Sequence, residues 1–270
     1  MTSNSLGTAL ITGASTGLGA VYADRLARRG YGLIMVARDG AKMEVIAQRL
    51  RAETGQTVDV LPADLTDGTD LARVAGRFET DASITMLINN AGMSLNGGLL
   101  DSDPALLQQL IALNVTAPTL LAAAAGRAFV ARQGGAIVNI ASVLALAPER
   151  FDGVYSGSKA YILNLTLSLA GTMKGTGVRV QAVLPGATRT EIWARSGKDI
   201  DAFPPAIVME ASDLVDAALV GLDKGETVTI PPLADERQWI DYTESRLAMG
   251  PNLSRREVAE RYRPVTDRAV

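Results

Sequence analysis

The 270-residue sequence contains no histidine and no cysteine. Each absence closes off a branch of chemistry. Histidine is the side chain whose ordinary pKa falls between about 5 and 8. Without it there is no Ser-His-Asp hydrolysis and no histidine-ligated metal. Without cysteine there is no disulfide, no thiolate zinc site and no cysteine nucleophile. No metal site is expected, and acid–base work falls to Tyr, Lys, Asp or Glu with displaced pKa values. An excess of either charge is lacking too: the formal net charge is -3, with no basic run. That argues against nucleic acid or an acidic membrane as partner. The N-terminal "MTSNSLGTALITG" lacks the basic and apolar regions of a signal peptide. The most apolar long stretch, residues 117–131, is short, alanine-rich and carries Arg127. It reads as a buried helix rather than a membrane span. A soluble cytoplasmic protein is the expectation.

What is present is a patterned, 47% hydrophobic chain, long enough for one α/β domain with a large core. Short apolar runs lie at residues 8–12, 32–37, 57–62, 84–89, 135–141, 178–184 and 227–231. They are rich in Val, Ile and Thr, bounded by Gly, Pro or Asp, and look like strands buried on both faces. Segments of helical period separate them. Such alternation implies a doubly wound parallel sheet with helices on both faces. Residues 1–270 are taken as a single domain. Two stretches break the pattern: an irregular, apolar-rich segment at 186–212, a candidate lid, and a C-terminal extension at 232–270. In the extension, Ser254 and Glu257 form a capping box that predicts a short helix near 255–263.

The first strand runs into "TGASTGLG", which spaces Gly13, Gly17 and Gly19 as G-x-x-x-G-x-G. Glycines at a strand-to-helix junction permit a tight turn and close backbone approach to a pyrophosphate. The helix N-terminus adds free N–H groups and partial positive charge. The second strand ends "IMVARDG". An acid there would bind the ribose 2′-hydroxyl of NAD, and a base the 2′-phosphate of NADP. Ala37 stands where the acid is expected and Arg38 follows, so NADP(H) is expected over NAD(H). Asp39 comes next. The plain alternative is that Arg38 and Asp39 are a solvated pair opening a helix.

Taken together these residues resemble the short-chain dehydrogenase/reductase family over about residues 6–231. The resemblance is carried by "TGASTGLG", Asp64 in "ADL", "NNAG" (89–92), Asn114 in "LNV", Ser142 in "IAS", "YSGSK" (155–159) and "PGATRT" (185–190), all in family order. It implies a single Rossmann-like domain with a seven-stranded sheet in the order 3-2-1-4-5-6-7, forming a homodimer or homotetramer. It implies catalytic roles for Asn114, Ser142, Tyr155 and Lys159, with Asn114 continuing a proton relay to solvent. It implies a cofactor site made of Gly13, Ser15, Thr16, Gly17, Leu18, Gly19, Arg38, Asp64, Leu65, Asn90, Ala91 and Gly92. Tyr155, Lys159, Pro185, Gly186, Thr188 and Thr190 complete it. One departure is Thr188, where the family often has an aliphatic residue.

Tyr155 and Lys159 stand at i and i+4, so they share one helix face. A lysine ammonium there is expected to stabilise the phenolate and lower the tyrosine pKa. Ser142 can hydrogen-bond a substrate oxygen as charge develops on it. The reaction implied is hydride transfer between nicotinamide and a carbonyl or secondary alcohol, with Tyr155 as acid and base. The substrate pocket is expected from Ser94, Val143, Leu144, Phe151, Ile192 and Trp193, with Met93, Leu146, Phe203, Val208 and Met209 nearby. These suggest an apolar small molecule. Arg150, Arg195 and Lys198 suggest an anionic alternative, a 3-oxoacyl thioester. A non-catalytic NADPH-binding sensor is the reading from a different class.

Overall fold

The computed structural model describes residues 6–150 and 153–263. The chain forms two compact units, residues 1–232 and 233–270. In the first, seven strands make one parallel sheet. They are β1 (Thr8–Thr12), β2 (Gly32–Ala37), β3 (Val58–Pro62), β4 (Ile84–Asn89), β5 (Gly135–Ile140), β6 (Val178–Val183) and, after a two-stranded pair, β9 (Val228–Thr229). Their order is β3-β2-β1-β4-β5-β6-β9, the expected 3-2-1-4-5-6-7. The chain reverses direction across the sheet between β1 and β4, which opens a crevice at the strand C-termini. The seventh strand is shorter than the apolar run at 227–231, because Pro231 and Pro232 have no N–H to pair.

Side chains alternate across this sheet, and each face has its own core. Ala9 and Ile11 of β1 point into one cluster with Tyr22, Leu26, Met43, Leu50 and Leu219. Those residues come from α1 (Gly17–Arg28), α2 (Gly40–Thr54) and α8 (Ala211–Asp223). Leu10 points the other way, into a cluster with Leu71, Phe78, Leu121, Phe129 and Met173. That face is covered by α3 (Gly68–Thr80), α5 (Ala117–Ala131) and α6 (Gly153–Thr172). Burying a Leu or Phe side chain contributes roughly 1.5–3 kcal/mol each, so period-two alternation in β1 fixes its register.

α4 (Pro104–Ile111) and α5 are joined through a π-helical turn, Ala112–Thr116. The resulting helical run, Pro104–Ala131, is long and apolar enough to cross a membrane by length and composition. Its α5 half puts Leu121, Ala125 and Phe129 fully into the core, as a core helix does.

The segment at 186–212 is more ordered than its sequence suggests. It contains the parallel pair β7 (Thr188–Arg189) and β8 (Met209–Glu210), the single-turn α7 (Ile192–Arg195), and two 3-10 turns. Arg189 staples it, with Asp201 at 2.6 Å and Glu210 at 3.0 Å.

In the second unit, α9 (Arg237–Ala248) is the helix that forms, with Trp239 stacked on Tyr242 at 5.5 Å. The helix expected near 255–263 does not form; only a 3-10 turn, Glu260–Tyr262, appears there. Val258 and Tyr262 stay exposed. An isolated nine-residue helix with no apolar face to bury cannot offset its nucleation cost.

Candidate active site

The strand ends open into one cavity of about 560 Å³. At one end lies the turn after β1. Gly13 and Gly17 have φ of 66° and 54°, a region that glycine enters without strain. A Cβ on Gly19 would lie 2.3 Å from Gly13 O, so α1 packs directly on the turn. The N-cap Thr16 makes no side-chain bond to α1, and the first turn of α1 holds no acid. Its N–H groups are left for an anion.

β4 fixes this turn in place. Thr12 Oγ1 accepts from Asn90 N and Ala91 N, both at 3.0 Å. Asn90 Nδ2 donates to Thr12 O at 2.9 Å. Deeper, Asn89 Nδ2 donates to Asn139 Oδ1 at 2.9 Å, and Asn139 Nδ2 donates to Thr166 Oγ1 at 3.0 Å. This buried chain ties β4, β5 and α6 together, because a buried amide must find partners.

At the end of β2, Arg38 is exposed and lines the cavity, and its guanidinium makes no hydrogen bond or ion pair among the described residues. Asp39 is not its partner. Asp39 Oδ1 caps α2 by accepting from Lys42 N at 2.9 Å. Asp64 also lines the cavity, and its Oδ1 is held by Thr66 Oγ1 at 2.7 Å.

At the other end α6 presents Tyr155 and Lys159. Lys159 is 6% exposed, and its Nζ donates to Ile140 O at 2.9 Å. A Cβ on Gly92 would sit 3.5 Å from that Nζ and 3.3 Å from Asn114 Oδ1. An ammonium has three donors, and two of these have no partner among the described residues. The Nζ lies 5.6 Å from the Tyr155 ring centroid. Tyr155 and Ser142 both line the cavity, and the Ser142 hydroxyl lowers the Tyr155 pKa in part. Ser142 Oγ accepts from Leu144 N at 3.1 Å and donates to Pro185 O at 3.4 Å.

Desolvation sets the direction of both pKa shifts. Burial pushes Tyr155 up to about 12, and the Ser142 hydroxyl offsets only part of that. Burial pulls Lys159 down to about 8. Desolvation disfavours both charged forms and outweighs their mutual attraction.

Asn114 sits in the π turn and does not reach the cavity lining. Its amide is occupied: Oδ1 accepts from Met93 N at 2.9 Å, and Nδ2 donates to Met93 O at 2.8 Å and Ser158 Oγ at 3.2 Å. It clamps the loop after β4 to the catalytic helix. Gly19, Val143 and Leu144 also lie off the lining, while Ser94, Ile192 and Trp193 are on it. Phe151 lies outside the described residues. Thr188 turns its hydroxyl back to Gly186 O at 3.0 Å, and its own carbonyl accepts from Trp193 Nε1 at 2.8 Å.

Comparison with known proteins bears on this geometry. The model of the short chain dehydrogenase family matches residues 7–201. The chain belongs to that family. It is an oxidoreductase. It is similar to a short-chain dehydrogenase from Sphingobium yanoikuyae solved in complex with NADPH. That pair shares 48% identity and a TM-score of 0.93, covering 96% of this chain and 100% of the other. It also resembles the bulky-bulky ketone specific alcohol dehydrogenase of Comamonas testosteroni, at 46% identity and TM-score 0.89, over 97% and 100% of the two chains. A galactitol 2-dehydrogenase (L-tagatose-forming) of Cereibacter sphaeroides is 33% identical over 78% of this chain and 85% of its own.

Within this short-chain dehydrogenase, sequence reading overlooked several residues. Ser158, inside "YSGSK", donates to Tyr155 O at 2.7 Å and joins Asn114 to α6. Thr12 is the hub of the β1–β4 link. Gln109 and Leu113 reach the cavity from α4 and the π turn. The π turn carries no sequence signature, but such turns often mark functional positions.

Proposed function

We propose that the protein is an NADP(H)-dependent carbonyl reductase or secondary-alcohol dehydrogenase. One observation carries this: Ser142, Tyr155 and the buried Lys159 ammonium share one cavity with an open glycine turn and with Arg38, whose guanidinium has no partner among the described residues. The residues fit a phosphorylated dinucleotide. Gly13 and Gly17 line the cavity, and the missing Cβ of Gly19 lets α1 pack directly on the turn. Arg38 offers a free guanidinium for a 2′-phosphate, while Asp39 is spent on its helix cap. Lys159 offers two spare donors for ribose hydroxyls. The Sphingobium relative was solved with NADPH.

The bound nicotinamide supplies or accepts the hydride. This chain supplies position and the proton. Ser142 and Tyr155 offer two hydroxyls to one substrate oxygen. Tyr155 as the phenol gives its proton to the carbonyl oxygen during reduction, and as the phenolate it accepts the alcohol proton during oxidation. Ser142 hydrogen-bonds the same oxygen as charge builds on it. Lys159 holds the ribose side and biases the phenol. Ser158 and Asn114 keep α6 and the loop after β4 in register.

The substrate is an apolar ketone or its alcohol. Met93, Leu113, Ile192 and Trp193 support this at the cavity wall, and the Comamonas relative is a bulky-bulky ketone enzyme. The thioester alternative needs free cations at the pocket, and Lys198 is engaged with Leu95 O at 3.1 Å. The segment at 186–212 acts as the substrate lid. We propose a cytoplasmic homodimer or homotetramer, supported by Leu106, Ile111, Leu120 and Tyr161. These stay exposed on α4, α5 and α6, and the Tyr161 OH meets Thr119 Oγ1 at 3.0 Å.

The test is NADPH consumption against a panel of ketones with substituents of rising bulk. Turnover of aryl or long-chain ketones, with NADPH favoured over NADH in kcat/KM, is the expected result. NADPH binding without turnover of any ketone would favour the sensor.

A further inference from the structure

Two residues of the 186–212 segment lie against the glycine turn. A Cβ on Gly17 would sit 3.3 Å from Thr190 Cβ. Arg195, at the end of α7, reaches Thr16 Oγ1 with its Nη2 at 3.2 Å. The same Nη2 is 2.7 Å from Glu191 Oε2, one turn back. Arg195 lines the cavity, and its Nε and Nη1 have no partner among the described residues. Thr16 is the N-cap of α1, and its hydroxyl does not serve that helix. So a guanidinium with spare donors stands at the uncapped helix N-terminus, where the cofactor diphosphate is to bind.

We propose that Arg195 is a latch between lid and cofactor. It pairs with the diphosphate of the bound dinucleotide, and Glu191 holds it when the site is open. This rests on the NADP(H) reading above and assigns Arg195 to the cofactor, not to an anionic substrate. A planar fork of N–H groups suits two phosphate oxygens. Because the arginine rides on the lid, cofactor residence and lid position are linked: releasing the dinucleotide requires breaking this contact or moving α7.

The experiment measures binding rather than turnover. NADPH fluorescence gives Kd and dissociation rate for wild type, Arg195→Ala and Arg195→Lys. Adenosine 2′-monophosphate, which lacks the diphosphate, is the control ligand. Arg195→Ala should raise the NADPH Kd about tenfold, mostly through faster dissociation. Arg195→Lys, which keeps the charge and loses the fork, should fall between. Binding of adenosine 2′-monophosphate should stay within about twofold. Glu191→Gln, which frees the guanidinium, should bind NADPH at least as tightly as wild type. The latch is overturned if Arg195→Ala leaves both NADPH constants unchanged, or if the monophosphate weakens as much as NADPH. Wild-type protein that binds NADH but not NADPH overturns the 2′-phosphate reading alone, and the Arg195→Ala comparison then decides the latch with NADH.

Discussion

The two ends of the cavity are built by different means. The glycine-turn end is made of backbone: Gly13, Gly17 and Gly19, the first turn of α1, and main-chain groups locked by Thr12 and Asn90. The lid end is made of side chains from distant stretches: Met93, Gln109, Leu113, Ile192 and Trp193. Backbone recognition admits almost no substitution, because a Cβ has nowhere to go. Side-chain walls can be exchanged one residue at a time. On the proposed function, the first end would hold the cofactor and the second would select the substrate. Tyr155 stands where they meet.

The largest effect is expected at that junction. Tyr155→Phe removes the proton donor and leaves the ring. Ketone reduction should fall by roughly 10³-fold in kcat, with the NADPH Kd within about twofold. A variant that keeps most of its kcat would sink the acid–base role. A variant that loses cofactor binding would show that the two ends are not separable.

Gly19→Ala attacks the backbone end. Its new methyl would lie 2.3 Å from Gly13 O and 2.6 Å from Asn90 Nδ2. The helix must move off the turn, at a cost on the order of 3 kcal/mol and roughly 6–12 °C in Tm. Gly171→Ala is the control, since a Cβ there meets nothing within 4 Å. It should raise stability by about 0.5–1 kcal/mol through helix propensity. Equal effects from the two variants would remove the steric argument.

The same contrast explains what the sequence made legible. Glycine spacing, strand periodicity and the Tyr155–Lys159 step are contiguous, and each follows from local geometry. They were enough for the strands and the doubly wound class, while the sheet order followed from the family resemblance. Features formed by distant partners were not visible. The π turn at Ala112–Thr116, the reach of Gln109 and the clamp from Asn114 to Met93 depend on packing. The tail misled for the related reason that a capping box is a local signal. It marks where a helix would begin and carries no information about whether an apolar face exists to hold it. The i, i+4 spacing of Tyr155 and Lys159 reports proximity and not the desolvation that acts on both.

Arg38→Ala tests the boundary of the backbone end, where one side chain selects the cofactor. The NADPH-over-NADH preference in kcat/KM should drop by about 10- to 100-fold. An unchanged ratio would mean that another group reads the 2′-phosphate.

Lys159→Met separates stability from function. The lysine's folded pKa, about 8, lies below its ordinary 10.5. Below pH 8 the folded chain carries a buried ammonium. Between the two values the unfolded chain binds more protons, so this residue makes stability rise with pH. Removing it should stabilise the fold at pH 7 by on the order of 1–2 kcal/mol, after the lost bond to Ile140 O is counted. The gain should vanish near pH 10, and activity should collapse at every pH. Urea unfolding at pH 7 and pH 10 decides: a gain equal at both values would exclude the charge as its cause.

Ser158→Ala is the mildest cut and the finest probe of how the two ends stay aligned. Ser158 Oγ donates to Tyr155 O at 2.7 Å and accepts from Asn114 Nδ2 at 3.2 Å. It touches neither the proton in flight nor the cavity lining, so it acts by positioning. Without it the Asn114 amide loses one acceptor, but Met93 O still holds the other N–H. The stability cost should be about 1 kcal/mol. The loop after β4 and the catalytic helix lose one of their links, so kcat should fall several-fold while KM for NADPH stays put. A fall in NADPH affinity with kcat intact would place Ser158 with the backbone end instead. The clamp from α6 through Asn114 to Met93 would then serve the cofactor rather than the alignment of Tyr155 with the substrate oxygen.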